Sequence, residues 1–367
     1  MRKLVFGLSA AALVVGTASV AAAEEHGGLN WTFGASTSYV YDINGPRAGG
    51  GGTSGFNSLS YANQELRDES FNIDLMQLGI SGERGAASFG ATLDFGDLAA
   101  LADNSSDADF ALQTAWLGYD MDMVGITAGR FGTPIGYEVL EPWGNNTISR
   151  SYGWQMQPIN HDGVTAHATL DMFEIMAGVV NNFTVAQNPV TVNDSDNRKG
   201  VIWAVGGAFS DAFNTHFAGI YTDDFGKSTE LFELNGIISG DLEPGGIGLR
   251  YAVESTYLNA DFDGGGGNTS AQSVAVNLGT DLGPTGIDVR YEYMNDNGLI
   301  VPVSQGGSNG SETNSFTVDL TWALVDGMDF RVEYRYDSAD NNIFGDGKKL
   351  EDSDNIVQAQ LIWYPEL

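Results

Sequence analysis

The chain has 367 residues, no cysteine and a formal net charge of -32 at pH 7. The lack of cysteine excludes disulfides and thiolate metal sites, and the strong negative balance argues against nucleic-acid binding, which requires basic patches. A content of 49 glycines and 11% aromatic residues with only 9 prolines indicates an ordered, β-rich protein.

The N-terminus has the pattern of an export signal. Arg2 and Lys3 precede a long apolar run, and three alanines at 21–23 precede two glutamates. A basic start, an apolar run and small residues before a cleavage point are typical of a secretory signal peptide. We therefore predict that residues 1–23 are cleaved and that residues 24–367 form a single exported domain.

The rest of the chain repeats stretches of about ten residues in which apolar and polar residues alternate. Between residues 328 and 337, for example, Phe330 and Val332 alternate with Arg331 and Glu333. Successive side chains of a strand point to opposite faces, so one face of each strand is apolar and the other is charged. Sixteen strands are predicted, near residues 30–41, 70–81, 86–96, 110–120, 123–131, 162–171, 172–182, 200–210, 213–223, 229–239, 246–259, 271–281, 286–295, 313–323, 328–337 and 355–364.

The connections between these strands alternate between short turns and long polar loops. An even number of strands with this arrangement is the plan of a bacterial outer-membrane barrel, and sixteen strands enclose an aqueous channel. The sequence predicts an all-β fold, a transmembrane antiparallel β-barrel of about sixteen strands. Both termini are expected at the short-turn, periplasmic end, and the outer surface is expected to contact outer-membrane lipid and lipopolysaccharide.

The alternation fails between the fifth and sixth predicted strands, at residues 132–161. The residues in and around this break form a recognisable series: Gly129-Arg130-Phe131, Pro134, Gly136, Glu138, Ser149-Arg150-Ser151, Pro158, His161, Gly163 and Val164. The series resembles the central motif of OmpL-like β-barrel porins, and its first part is also similar to phosphate-selective porins. The resemblance implies an outer-membrane porin for passive diffusion of small hydrophilic solutes and ions, without cofactor or catalytic residues, and a homotrimer.

General diffusion porins carry an inward-folded loop at this position, and we expect the same between strands 5 and 6 here. Irregular backbone is tolerated inside a membrane protein where it lines water, and selectivity requires a narrowing with a defined field. Glu138 and Glu141 are candidates for the negative side of the constriction. Arg130 and Arg150 either contact solute or anchor the loop to the wall through carboxylates.

Charged residues at alternate strand positions are candidates for the wall of the lumen. They are Arg250, Glu254, Asp288, Arg290, Glu292, Arg331, Glu333 and Arg335. Two roles remain open for the arginines: the positive side of a filter, or local pairing with carboxylates two residues away on the same face. Pairing would stiffen the wall without selecting any solute.

Three acidic loop stretches, residues 102–109, 193–197 and 261–268, raise the possibility of calcium binding. None has the twelve-residue spacing of an EF-hand with its closing glutamate, so we predict solvated loops and no metal site. In the last strand, Pro365 is expected to remove a ladder donor. The chain ends in Leu367 rather than the aromatic residue typical of such barrels.

Two other functions are compatible with parts of this pattern. A soluble secreted β-rich adhesin or ligand-binding protein would show similar alternation, with the apolar faces turned inward. A lipid-modifying outer-membrane enzyme would require a serine and histidine constellation at the rim, which the sequence does not display. The channel is the function that the pattern favours.

Overall fold

A computed structural model of the chain describes residues 28–43, 70–103, 110–181, 199–222, 229–262, 267–300, 310–345 and 350–365. Sixteen antiparallel strands close into a barrel, in which each strand pairs with its neighbours in sequence and the first pairs with the last. The barrel strands are β1 (Asn30–Asp42), β2 (Ser70–Arg84), β3 (Ala87–Phe95), β4 (Phe110–Met121), β5 (Val124–Gly132), β6 (Asn160–Leu170), β7 (Phe173–Val180), β8 (Gly200–Ser210), β9 (Phe213–Thr222), β10 (Thr229–Leu242), β11 (Leu249–Phe262), β12 (Gly267–Leu282), β13 (Thr285–Asp296), β14 (Ser311–Val325), β15 (Met328–Ala339) and β18 (Ser353–Trp363).

This architecture confirms the predicted sixteen-strand antiparallel barrel. The strand starts differ most in β12, which was expected from residue 271 and begins at Gly267, and next in β11, which was expected from residue 246 and begins at Leu249. A helical turn at Pro244–Gly246 precedes it. Gly245 and Gly246 have φ of 64° and 83° in this turn, a conformation that glycine adopts without strain and that a strand does not contain.

Two small elements and the end of β18 differ from expectation. Helix α1 (Ala99–Asp103) lies in a predicted loop, and strands β16 (Phe344–Gly345) and β17 (Leu350–Glu351) form a two-stranded ribbon outside the barrel sheet. β18 ends at Trp363, two residues before Pro365, so the proline that was expected to remove a ladder donor lies just beyond the strand.

Side chains alternate between the two sides of the barrel wall, with apolar residues outside and polar residues inside. Leu278, Phe316 and Tyr334 are exposed on the outer surface, whereas the inward-facing Arg290 and Glu333 are fully buried. The water-soluble β-sandwich has the opposite arrangement, with its apolar faces inside. The outer surface therefore matches a lipid environment.

Aromatic residues cluster on the outer surface near both ends of the strands. Near the short-turn end, the Phe209 ring lies 5.7 Å from the Phe173 ring and 5.5 Å from the Phe213 ring, centroid to centroid. Near the long-loop end, the rings of Tyr39 and Phe71 are 4.9 Å apart. Such girdles are typical of the two membrane interfaces of outer-membrane barrels.

Several expectations concern residues outside the described ranges. These are the export signal at 1–23, the acidic stretch at 193–197, most of the stretch at 102–109, half of the stretch at 261–268, and Leu367. Among the described residues, no helix combines the length and the apolar character that crossing a membrane requires.

The outer surface generates a prediction about Leu278, which is 44% exposed and faces outward on β12. We expect Leu278→Arg to lower the free energy of unfolding by about 2–4 kcal/mol, because an arginine near the bilayer midplane is poorly solvated. The measurement is denaturant unfolding of the purified protein in lipid bilayers. Gln272→Arg, on the same face of β12 but near its long-loop end, is the matched control and should cost about 1 kcal/mol or less. Equal losses would mean that this face does not contact lipid.

Candidate functional site: the segment inside the barrel

The chain between β5 and β6, residues 133–159, lies within the barrel, and we call it the inner segment. It makes side-chain and backbone contacts with inward-facing residues of β2, β4, β9, β11, β13 and β15. In the strand order of the barrel, β13 is diametrically opposite β5. The inner segment therefore crosses the full width of the interior.

Glutamates on the far wall accept hydrogen bonds from the backbone of the inner segment. Glu254 Oε1 accepts from the Tyr137 N–H at 2.9 Å. Glu333 Oε2 accepts from the N–H groups of Ile148 and Ser149 at 2.7 and 3.0 Å. Hydrogen bonds to an ionised acceptor are stronger than neutral ones, so these carboxylates hold the irregular backbone in place.

Arginines on the same wall donate to the carbonyl oxygens of the inner segment. Arg331 donates to the carbonyls of Pro142 and Asn145 at 3.2 and 2.8 Å. Arg335 donates to the carbonyl of Arg150 at 2.6 Å. The two arginines thus bind backbone rather than solute in this arrangement.

Arg290 joins the wall to the inner segment through several charged and polar groups. Its guanidinium lies 2.8 Å from Glu138 Oε1 and 2.6 Å from Glu292 Oε1, and it also donates to the Ser149 carbonyl at 2.7 Å. Glu292 in turn accepts the Tyr152 N–H at 2.6 Å. All five residues are buried, so Glu138 is a structural anchor of the segment.

Arg150 stabilises the inner segment from within. Its guanidinium donates to the carbonyl oxygens of Val139, Leu140 and Ile148 at 3.0–3.1 Å. Burial is the main reason that the pKa of Arg150 falls to about 10, and the nearby positive charge of Arg290 acts in the same direction. The side chain therefore joins two stretches of its own segment, residues 139–140 and residue 148, through hydrogen bonds.

Two tyrosines of the segment have raised pKa values, although Tyr152 is fully buried and Tyr137 is partly accessible. Burial raises the pKa of Tyr137 to about 12. Burial, followed by the negative charge of Asp337, also raises the pKa of Tyr152 well above its usual value. The Tyr152 hydroxyl donates to Asp337 Oδ1 at 2.7 Å, and the Arg335 guanidinium lies 5.1 Å from the centre of its ring.

Glu141 lies on the opposite side of the segment and is partly exposed. Its Oε1 accepts hydrogen bonds from the side-chain amides of Gln77 and Gln113, each at 2.9 Å. The Gln77 amide also donates to the buried Asp94 at 3.0 Å. Sequence reasoning missed Gln77, Asp94 and Gln113, although their alternate positions on β2, β3 and β4 are a signal for inward-facing polar residues.

The structure places Arg130 away from the candidate constriction. Its guanidinium forms an ion pair with Asp162 at 2.7 Å, and the two residues are partners across β5 and β6. Ile126 and Val164, which share their strand faces, are exposed outward. Arg130 therefore belongs to the outer surface, because strand alternation directs residues 126, 128 and 130 away from the interior.

Arg250 and Asp288 occupy the inner wall near the short-turn end. Arg250 lies 2.7 Å from Asp281 and 3.3 Å from Asp288, and Arg250 and Asp281 are partly solvent-exposed. Asp120 also faces inward at this end, where 64% of its side chain is exposed. Local pairing thus describes Arg250, whereas Arg290 and Arg335 combine pairing with contacts to the inner segment. Arg331 contacts backbone carbonyls of the inner segment.

The burial of the inner segment differs from expectation. Every residue from 147 to 159 is buried, and solvent-accessible positions occur only between 133 and 146. The expectation that the whole irregular backbone lines water is therefore wrong for its second half. Wall carboxylates and guanidinium groups bind polar atoms of this half, and further hydrogen bonds form within the segment itself.

The first strand of the barrel also contacts the inner segment. A Cβ atom at Gly34 of β1 would lie 2.2 Å from ring atoms of Trp143, so glycine leaves the space that the indole occupies. Within the described part of the chain, no group of three or more histidine, aspartate or glutamate side chains is arranged to hold a metal ion.

The buried cluster of Arg290 with Glu138, Glu292, Ser149 and Tyr152, which we call the hub, generates a stability prediction. We expect Arg290→Met to lower the free energy of unfolding by about 3–5 kcal/mol, because it leaves buried carboxylates without their partner. Arg250→Met, which disrupts a partly exposed pair on the same wall, should cost about 1 kcal/mol or less. Both values follow from denaturant unfolding in bilayers. A small loss for Arg290→Met would show that the hub does not hold the segment.

Comparisons with known proteins agree with this architecture. The family model described as "Putative beta-barrel porin-2, OmpL-like" matches residues 30–363. No curated protein matches the chain in sequence.

Solved structures of outer-membrane proteins share the fold at low sequence identity. OmpT of Vibrio cholerae in a trimer form has a TM-score of 0.58 and 12% identity, with 92% of this chain and 99% of that chain covered. The channel DcaP of Acinetobacter baumannii has a TM-score of 0.61 and 10% identity, covering 92% and 97%. An anion-selective porin from Comamonas acidovorans has a TM-score of 0.60 and 12% identity, covering 92% and 99%.

The family match covers almost the whole barrel, and the polar interior and apolar exterior are those of a membrane channel rather than of a soluble protein. The chain belongs to the OmpL-like β-barrel porin family and forms a channel for small hydrophilic solutes in the outer membrane.

Proposed function

We propose that this porin conducts cations in preference to anions and that the inner segment forms its constriction. The observation that carries the proposal is the excess of acidic over basic side chains inside the barrel. Among the described residues, fifteen aspartate and glutamate side chains are buried, against four arginines. A low-dielectric wall lined by one sign of charge concentrates counter-ions and repels ions of the same sign.

The solvent-accessible part of the interior has the same sign. Asp120, Asp241, Asp281 and Glu141 face inward at exposed or partly exposed positions, whereas Arg250 is the one inward-facing arginine that is partly exposed in the described chain. Arg250 is itself bound by Asp281. A permeating ion therefore meets a net negative surface before it reaches the inner segment.

The remaining wall arginines contribute little to attracting anions. Arg290, Arg331 and Arg335 are buried and directed at carboxylates or carbonyls. Carboxylates neutralise the charges of Arg290 and Arg335 over distances much shorter than the screening length of physiological salt, and Arg331 is engaged by carbonyl oxygens. Glu141 is the candidate filter residue, because it is the partly exposed carboxylate of the inner segment.

The proposal extends to processing and mechanism. Residues 1–23 act as a cleaved export signal, residues 24–367 form one barrel domain with its short turns in the periplasm, and transport is passive diffusion without a catalytic step. The family match over residues 30–363 supports a single domain.

The first test is the reversal potential in planar bilayers under a potassium chloride gradient. We expect cation selectivity for the native channel, and Glu141→Gln should reduce the cation-to-anion permeability ratio roughly twofold, the effect of a unit charge acting about 8 Å away through water. Glu312→Gln, on the exposed outer face of β14, is the control and should leave the ratio unchanged. An anion-selective native channel would overturn the proposal.

We also propose that the channel is a homotrimer, which the trimer form of the similar OmpT structure supports. The native mass of the detergent-purified protein should correspond to three chains. Conductance should appear in groups of three equal steps. A monomeric mass together with single, independent steps would contradict the trimer.

A further inference from the structure

Asp94 is a buried carboxylate on β3 that lies next to the candidate filter residue Glu141. Its side chain faces the interior, and its exposed fraction is 0%. Oδ1 accepts a hydrogen bond from the Gln77 amide at 3.0 Å, whereas Oδ2 is buried and accepts from no donor. A buried, ionised carboxylate with an unsatisfied oxygen is unfavourable. A proton on Asp94 relieves this cost.

Asp94 and Glu141 meet at a single amide nitrogen. Gln77 Nε2 lies 3.0 Å from Asp94 Oδ1 and 2.9 Å from Glu141 Oε1, so the two carboxyl oxygens are at most about 6 Å apart, within the range in which one charge affects the ionisation of the other. The same nitrogen lies 2.7 Å from Gln113 Oε1. An amide nitrogen has two hydrogens, fewer than the three oxygens around it. The two carboxyl groups therefore compete for one donor.

In the described part of the chain, no basic side chain forms an ion pair with Asp94 or Glu141. Arg150 is near enough for its charge to act on Glu141, but its guanidinium donates to three carbonyl oxygens of the inner segment. Asp74 on β2 and Asp97 in the turn after β3 add negative rather than positive charge to this wall. Two like charges at this distance are unfavourable, so the pair holds one negative charge more readily than two.

We propose that Asp94 and Glu141 share one proton at neutral pH and that Asp94 thereby sets the charge of the constriction. Two interacting carboxyl groups lose their protons in separate steps. With one proton bound, the pair carries a single negative charge. Loss of that proton gives two negative charges at the constriction, which attract cations and repel anions more strongly. Asp94 is thus a positioning residue for selectivity that acts through Glu141, and cation preference rises with pH. The inference rests on the proposed function, in which Glu141 is the candidate filter residue.

The test is the reversal potential of the full-length native channel in planar bilayers under a potassium chloride gradient, measured from pH 5 to pH 9. Exposed carboxylates are largely ionised throughout this range and add no step. We expect the cation-to-anion permeability ratio to rise about twofold with pH, the effect of one further unit charge about 8 Å from the permeating ion. Asp94→Asn should remove this step. A flat native profile would overturn the inference, as would a step of unchanged size in Asp94→Asn.

A second comparison separates a shared proton from a structural role of Asp94. Glu141→Gln removes the neighbouring negative charge, so the midpoint of the step should move to lower pH by about 1–2 units. Asp241→Asn is the matched control, because it also removes one inward-facing charge but lies on β10, across the barrel from β3. It should lower the permeability ratio and leave the midpoint in place. Equal midpoints in the native channel and Glu141→Gln would contradict a shared proton.

The inward-facing histidines His167 and His216 belong to a residue type that titrates in the same range. They are present in every variant, so their contribution is common to all the profiles. The result is also separable from the selectivity of the native channel. An anion-selective channel with a step that depends on Asp94 would contradict the proposed function and support the shared proton. A cation-selective channel whose profile does not depend on Asp94 would do the reverse.

Discussion

The structure depends on how polar backbone groups are satisfied inside a barrel. Apart from one 3₁₀ turn at Pro142–Gly144, the inner segment has no regular element to pair its N–H and C=O groups, and an unpaired buried backbone group is costly. Charged side chains of the wall solve this problem: Glu254 and Glu333 accept from N–H groups, while Arg331 donates to carbonyls. The charged side chains of the wall therefore stabilise the position of the inner segment, whatever their effect on ion selectivity.

The period-two pattern predicted the barrel well because it is a local property of each strand. The inward position of Arg290 and Glu333 followed from the same parity. Their contacts did not, because Glu333 binds backbone 185 residues earlier in the chain and no local spacing encodes that distance. The outward position of Arg130 was available from the parity of β5, which directs Phe131 inward, but the motif around it suggested the constriction instead.

The buried charges divide the interior into two regions with different physical roles. On β13 and β15, carboxylates and guanidinium groups neutralise one another around the inner segment. On β10, Glu233 has no cation beside it and stands next to aliphatic side chains. An anion-selective porin from Comamonas acidovorans shares this fold at 12% identity, so selectivity depends on the side chains of the interior rather than on the fold alone.

The contact between Trp143 and Gly34 has a consequence for assembly. Gly34 is on β1, the strand that closes the barrel by pairing with β18. An open sheet whose first strand has not yet met its last lacks part of the surface on which the inner segment docks. Pairing of β1 with β18 and docking of the inner segment therefore depend on each other. The Trp143 indole has its full set of contacts inside the lumen only when the barrel is closed.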